Sequence, residues 1–321
     1  MKKIAFWQNE ICERGVSVAV YDYAYYNQKM LGNTSYILYE RNNSANIPEV
    51  IQKFEKEFHV HACQDFSEVD EFLNKNGIDM LYIIKGGWND GKISKIAKTF
   101  VHCVFETKQP HGDIYGAISE SVQGYESNIP ILPHMIHLPD HNEDMREILN
   151  IPKDATVFGR YGGKEQFNII GVHHIVEKVA RENPDIYFLF ANTNVFCPPM
   201  KNIIHLDAII DPHEKRKFIN TCDGMIWART DGESFGLAVG EFSTCNRPII
   251  AYKHDNISAD FHIKTLKNKA FWFQTAEELI AILTGFNREA VKYEDWNMYK
   301  EYTPEKVMTK FKELVIDGLT M

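Results

Sequence analysis

The sequence predicts an α/β protein built as two halves, each a mostly parallel sheet with helices on both faces. Three observations carry this. Short β-rich runs alternate with helical patterns through the first part of the chain. A proline-punctuated stretch then breaks the alternation, and after it the alternation starts again.

In the first half, strands are expected at 3–7, 36–39, 58–63, 80–85, 99–105 and 129–135, with helices at 16–31, 48–57, 69–76 and 93–98. The opening run Ile4-Ala5-Phe6-Trp7 follows two lysines but ends at Gln8-Asn9-Glu10. That is too early for the apolar core of a signal peptide, so it reads as a buried strand. Pro130, Pro133, Pro139 and Pro152 make the break. Proline fixes its own φ and restricts its predecessor, so this segment reads as a connection carrying a short helix at 143–149.

The second half opens with a strand at 156–159 and a helix at 165–183. Strands follow at 186–191 and 203–206, then a helix at 212–221 with Asp211 as N-cap and Pro212 at the first helical position. A strand at 224–228 is followed by Ser234-Phe235-Gly236, which leads into a helix running to Thr244. Strands at 248–252 and 270–273, a helix at 275–283 and a last helix at 303–319 complete the chain. The domain reading is 1–138, 139–301 and a C-terminal helix 302–321. Ligands of such sheets bind beyond the carboxyl ends of the strands, so functional residues are expected in the loops just after strands, mostly between the halves.

The chain has 321 residues, 44% hydrophobic and 25% charged, which suits two soluble domains with cores of their own. The net charge of -9 argues against a duplex nucleic-acid partner, though not against a local basic pocket. No apolar run reaches the ~18 residues of a transmembrane segment, which leads to a cytoplasmic reading, at most peripheral to a membrane. The six cysteines are spread thinly without a CxxC and read as core thiols. His59, His61 and Cys63 share a strand face, but no fourth ligand has matching spacing, so no metal is expected.

Two segments carry chemistry. The first runs from Ala228 through Arg-Thr-Asp-Gly to Glu233-Ser-Phe-Gly-Leu-Ala-Val-Gly-Glu241 and on to Pro248-Ile-Ile-Ala251. Gly236 falls where the helix begins, and its missing Cβ lets a ligand approach the backbone. The amides of Phe235, Gly236 and Leu237, with the helix dipole, would make an anion site. The second segment is Phe158-Gly-Arg160-Tyr-Gly-Gly-Lys164. Two cations at a strand end suit a diphosphate, each charge-assisted hydrogen bond contributing about 1.5–3 kcal/mol.

Together these segments resemble the retaining glycosyltransferases of family 4. Glu233-Ser-Phe-Gly-Leu-Ala-Val-Gly-Glu241 is similar to that family's E-x7-E motif, and Gly159-Arg160 with Lys164 to its GR…K element. The resemblance covers about residues 130–255 and implies the GT-B fold: two Rossmann-like domains facing across a cleft, the last helix packing back on the N-terminal, acceptor-side domain. It implies that Arg160 and Lys164 neutralise the diphosphate of a nucleotide-sugar donor, that Glu241 holds the ribose hydroxyls, and that Glu233 contacts the transferred sugar. Ser234, Phe235, Gly236 and Leu237 would line the donor site. His102 would face the sugar from an acceptor-domain strand, and Gly15 would belong to the glycine loop after the first strand. By its residues alone, His102 reads equally as a satisfied core histidine and Gly15 as a simple turn. Gly15 stands alone where the family has a glycine pair, and Lys164 follows Arg160 more closely than in many members.

The expected activity is transfer of a hexose-like unit from a UDP- or GDP-sugar, with retention implied by the resemblance. The sequence has no Asp-x-Asp metal clamp, so no metal or other cofactor is expected. The acceptor, a glycan, lipid or protein, stays open. Two alternatives are a GT-B sugar-nucleotide 2-epimerase and a non-catalytic nucleotide-sugar or glycan-binding module.

Overall fold

A computed structural model describes residues 1–124, 128–255 and 257–319. The chain forms two compact units, Met1–Met135 with Tyr302–Met321, and Ile136–Glu301.

The N-terminal unit contains β1 (Lys3–Gln8), α1 (Gly15–Lys29), β2 (Thr34–Glu40), α2 (Pro48–Glu55), β3 (His59–Cys63), α3 (Val69–Asn76), β4 (Met80–Lys85), β5 (Lys98–Cys103), β6 (Ile114–Ala117) and α4 (Glu120–Gln123). Its six strands are all parallel, in the order β3-β2-β1-β4-β5-β6. Ile4, Ala5, Phe6 and Trp7 are buried without alternation, as a strand covered on both faces requires. The C-terminal helix Pro304–Phe311 belongs to this unit. Its Phe311 is fully buried and stacks on Tyr23 at 5.5 Å and Phe6 at 6.5 Å.

The C-terminal unit contains β7 (Thr156–Tyr161), α5 (Ile170–Glu182), β8 (Ile186–Ala191), β9 (Ile203–Leu206), α6 (Pro212–Thr221), β10 (Gly224–Trp227), α7 (Leu237–Thr244), β11 (Ile249–Tyr252), α8 (Phe261–Leu266), β12 (Phe271–Phe273), α9 (Ala276–Thr284) and α10 (Arg288–Val291). The parallel order β12-β11-β10-β7-β8-β9 repeats the topology of the first sheet. In both, strand order reverses beside the first strand, between β1 and β4 and between β7 and β10. Such a switch point is where doubly wound sheets bind their ligands.

Several sequence expectations change. Residues 129–135 are not a strand: Pro130 and Pro133 cannot donate to a ladder, and only an isolated bridge joins Ile131 to Ala117. The sixth strand is instead β6. Residues 93–98 are not helical. Ser94 Oγ donates to Asp70 at 2.6 Å and accepts from the amides of Ile96 and Ala97, so side chains take the place of helical bonds. Residues 143–149 form turns rather than a helix. The expected helix at 165–183 starts only at Ile170, because the Asn168 amide is engaged by the Ala228 carbonyl. The last helix gives way after Phe311 to a wide turn of π type, Lys312–Asp317. Among the described residues no helix is long and apolar enough to cross a membrane.

Candidate functional site

The site is built on the switch point of the second sheet. Gly224 and Met225 of β10 pair with Phe158 and Gly159 of β7, so the loops leaving these two strands emerge side by side. Gly159 allows the strand to be covered closely: a Cβ there would lie 2.2 Å from Cys222 Sγ. Arg160 and Tyr161 end β7 and, being consecutive strand residues, point to opposite faces.

Arg160 is 4% exposed. Its guanidinium donates to the carbonyls of Asn192 at 3.3 Å and Gly163 at 2.9 Å and to Thr193 Oγ1. It also lies over the Phe167 ring at 6.0 Å. The arginine is therefore clamped by the loop around it, and Gly162 makes room, since a Cβ there would stand 2.9 Å from Nη2. Burial pushes its pKa down to about 10, opposed by the charge of Glu233. It stays a cation at neutral pH. Lys164, directly after Gly162-Gly163, is exposed.

Glu233 follows β10. Its Oε1 accepts from Trp227 Nε1 at 2.9 Å, and its Oε2 lies 3.3 Å from Arg229 Nη1. Its backbone is pinned by the Glu233 amide donating to the Ala259 carbonyl at 2.7 Å and by the Phe261 amide donating to the Glu233 carbonyl at 3.1 Å. Desolvation raises the carboxyl pKa, while Arg229, Trp227 and Arg160 pull against that rise.

Helix α7 starts at Leu237, directly after Gly236, where the sequence places its beginning. Gly236 is its N-cap at φ 81°, a left-handed conformation that suits glycine. A Cβ on Gly236 would come within 3.3 Å of Glu233 Cβ, which places this acid directly at the helix start. The amides at this helix end are those of Gly236, Leu237, Ala238 and Val239, which include two of the three read from sequence. Phe235 is buried against Phe261 and Tyr299, and its carbonyl accepts from Tyr299 Oη at 2.9 Å. Ser234 is half-buried between Glu233 and Phe235.

Glu241 lies one turn further along α7, 5% exposed. Lys215 Nζ of α6 is 3.0 Å from Oε1, and Tyr161 donates to Oε2. Arg160, Glu233, Gly236 and Glu241 are therefore gathered around the ends of β7 and β10 and the start of α7.

No family model matches the chain, and no curated protein matches it in sequence. Solved structures match it in fold. A glycosyltransferase from Rickettsia africae ESF-5 is 15% identical with a TM-score of 0.65, covering 97% of this chain and 94% of that one. Anabaena Alr3699/HepE, in complex with UDP-glucose, is 12% identical with a TM-score of 0.75, covering 99% and 100%. The fold is that of the GT-B glycosyltransferases. A putative UDP-N-acetylglucosamine 2-epimerase from Listeria monocytogenes also matches, at 11% identity and a TM-score of 0.63 over 100% and 97%.

Within this GT-B frame, two expected residues fall in the other unit. His102 is fully buried in β5: one ring nitrogen meets Tyr82 Oη and the other the Leu132 carbonyl at 2.7 Å. Burial holds its pKa well below 6.5, so it stays neutral. Both nitrogens are engaged and the ring is out of reach of solvent, which matches the reading of His102 as a satisfied core histidine. Gly15 is the exposed first residue of α1. Ser17, not glycine, ties the loop after β1, its Oγ donating to Gln8 Oε1 at 2.8 Å and accepting from the Cys12 amide at 3.1 Å.

Sequence reasoning passed over Tyr161, Lys215, Trp227 and Arg229. Tyr161 adjoins Arg160, Trp227 directly precedes the loop segment and Arg229 lies within it, so position was a signal for these three. Lys215 gave none; only folding brings α6 to α7. Among the described residues no group of three or more His, Cys, Asp or Glu could hold a metal, and all six cysteines are free.

Proposed function

We propose that this protein is a glycosyltransferase that takes a sugar from a nucleoside diphosphate donor, a UDP-sugar by preference. The observation that carries this is the convergence of the clamped Arg160, the half-buried Glu233 and the amino end of α7 at one switch point. Cleavage of the anomeric C–O bond leaves its electron pair on the departing diphosphate. Arg160, Lys164 and the first-turn amides of α7 would stabilise that charge in place, with no change of geometry required, and such preorganised donors are often the largest catalytic contribution. Three of the five N–H donors of Arg160 hold its loop, and two are left for phosphate oxygens. Glu233, with its raised pKa, would contact sugar hydroxyls, and Glu241 the ribose. Ser234, Phe235, Gly236 and Leu237 would shape the donor pocket, and Gly15 would leave room for a ligand after β1.

In this reading the C-terminal unit is the donor domain, the N-terminal unit serves the acceptor, and transfer proceeds with retention and without a metal in the cytoplasm. The fold likeness to a UDP-glucose complex supports UDP as the first donor to try. Incubation with UDP-glucose should release UDP, unaffected by EDTA. Glu233→Gln should lower the rate by about 10²–10³-fold, the usual cost of removing a polar group that acts in the transition state. UDP binding without any release would point to a non-catalytic binding module.

The likeness to a putative 2-epimerase gives a second reading. UDP-N-acetylglucosamine converted to its 2-epimer, with the sugar still attached to UDP, would select it over transfer.

A further inference from the structure

The ion pair between α6 and α7 has no place in the roles proposed so far. Glu241 is almost completely buried, and each of its oxygens has one protein donor: Lys215 Nζ at 3.0 Å on Oε1 and Tyr161 Oη on Oε2. The side chain of Lys215 is only 13% exposed and sits 5.4 Å over the Tyr161 ring. Tyr161 is wedged between Phe218 at 5.6 Å and Phe242 at 5.5 Å. The carboxylate is thus fixed from two sides by groups that are themselves fixed.

Pairing two charges away from water recovers their desolvation only when the geometry is good and the remaining hydrogen-bonding capacity is used. Here capacity remains. A carboxylate accepts about four hydrogen bonds, and two of those of Glu241 are taken. The ammonium has three N–H groups, one of them on Glu241. Unspent acceptors on two adjacent oxygens, beside a cation, match a vicinal diol: each hydroxyl donates to one carboxylate oxygen, and the nearer can accept from the ammonium. Lys215 and Tyr161 are consecutive partners of one acid and come from α6 and β7, so the orientation is set by three elements at once.

We infer that Lys215 and Tyr161 are positioning residues that hold Glu241 in the orientation required to read the ribose diol of the nucleotide. The inference rests on the nucleotide-sugar reading above and names two residues of that site. Tyr161 keeps its proton, since burial and the adjacent acid push its pKa well above 10, which leaves it a donor at any working pH.

Calorimetric titration with UDP, 2′,3′-dideoxy-UDP and pyrophosphate tests this. The parent protein should bind UDP roughly ten- to hundredfold tighter than the dideoxy nucleotide, the span of one or two charge-assisted hydrogen bonds. Lys215→Met and Tyr161→Phe should each shrink that ratio to about threefold or less, with pyrophosphate binding unchanged. Lys215→Arg should keep part of the preference. A merely structural pair would weaken all three ligands alike or none. Tyr161→Phe removes one oxygen and no charge, so it carries the test if Lys215→Met does not fold, which circular dichroism shows. A ratio unchanged in the folded variants, or a parent with no preference for ribose, overturns this inference alone. A parent that binds none of the three ligands overturns the nucleotide-sugar reading as well.

Discussion

Trp227 Nε1 donates to Glu233 Oε1 at 2.9 Å, so the last residue of β10 holds the acid that follows it. Arg229 stands at the other oxygen, and the Glu233 backbone is bridged to residues 259–261. The carboxylate is fixed at both oxygens and at its own main chain, and desolvation still raises its pKa.

That shift gives a pH signature. A raised folded pKa means the proton binds more tightly in the folded chain than in the unfolded one. Stability is then lost as pH rises from the unfolded value near 4.5 through the folded value. Glu233→Gln has no such dependence. Its urea midpoint relative to the parent should move in the variant's favour between about pH 4.5 and pH 8, even as UDP release falls. A pH-independent difference would show that the acid is not desolvated.

Arg160→Lys tests the clamp. A lysine carries the charge but cannot make three loop bonds and still offer a planar pair of donors to phosphate. Turnover of UDP-glucose should drop by about 10²–10³-fold, with a lower melting temperature as the 162–164 loop loosens. Equal kcat/KM in parent and variant would mean that charge alone suffices.

His102→Phe separates core from site. The change leaves Tyr82 Oη and the Leu132 carbonyl without their partner in a buried setting, at a cost of about 2–4 kcal/mol. Urea unfolding should report that loss, while the folded variant binds UDP as the parent does. A stable variant with impaired turnover would return His102 to the reaction.

Gly159→Ala should destabilise the C-terminal unit by about 1–3 kcal/mol, because the new methyl collides with Cys222 Sγ. Adding Cys222→Ala removes that sulfur and should recover part of the loss. The non-additivity of the two changes in urea unfolding measures the contact.

The strand end at Arg160 and the helix start after Gly236 were legible because both are local. A strand end, a glycine turn and a helix start each leave a mark within a few residues, and Gly236 stands one residue before the first helical residue of α7. The same local logic failed at 93–98. There the competing partner of the backbone, Asp70, lies 24 residues away from Ser94. At His102 the residues alone left core and site both open, since the two groups that engage its ring come from β4 and from Leu132.

The amino-acid sequence by itself determined the α/β class and the restart after the proline-rich connection, and it singled out Arg160, Lys164, Glu233 and Glu241 as candidates, because hydrophobic period, proline geometry and loop chemistry act over short stretches of chain. Only the tertiary structure decided that β7 and β10 are neighbours, that Glu233 stands at the head of α7, that Lys215 and Tyr161 share Glu241, and that His102 is core. Those facts depend on which strands pair and which helices pack. Contacts between residues tens of positions apart set that, and no local pattern records them.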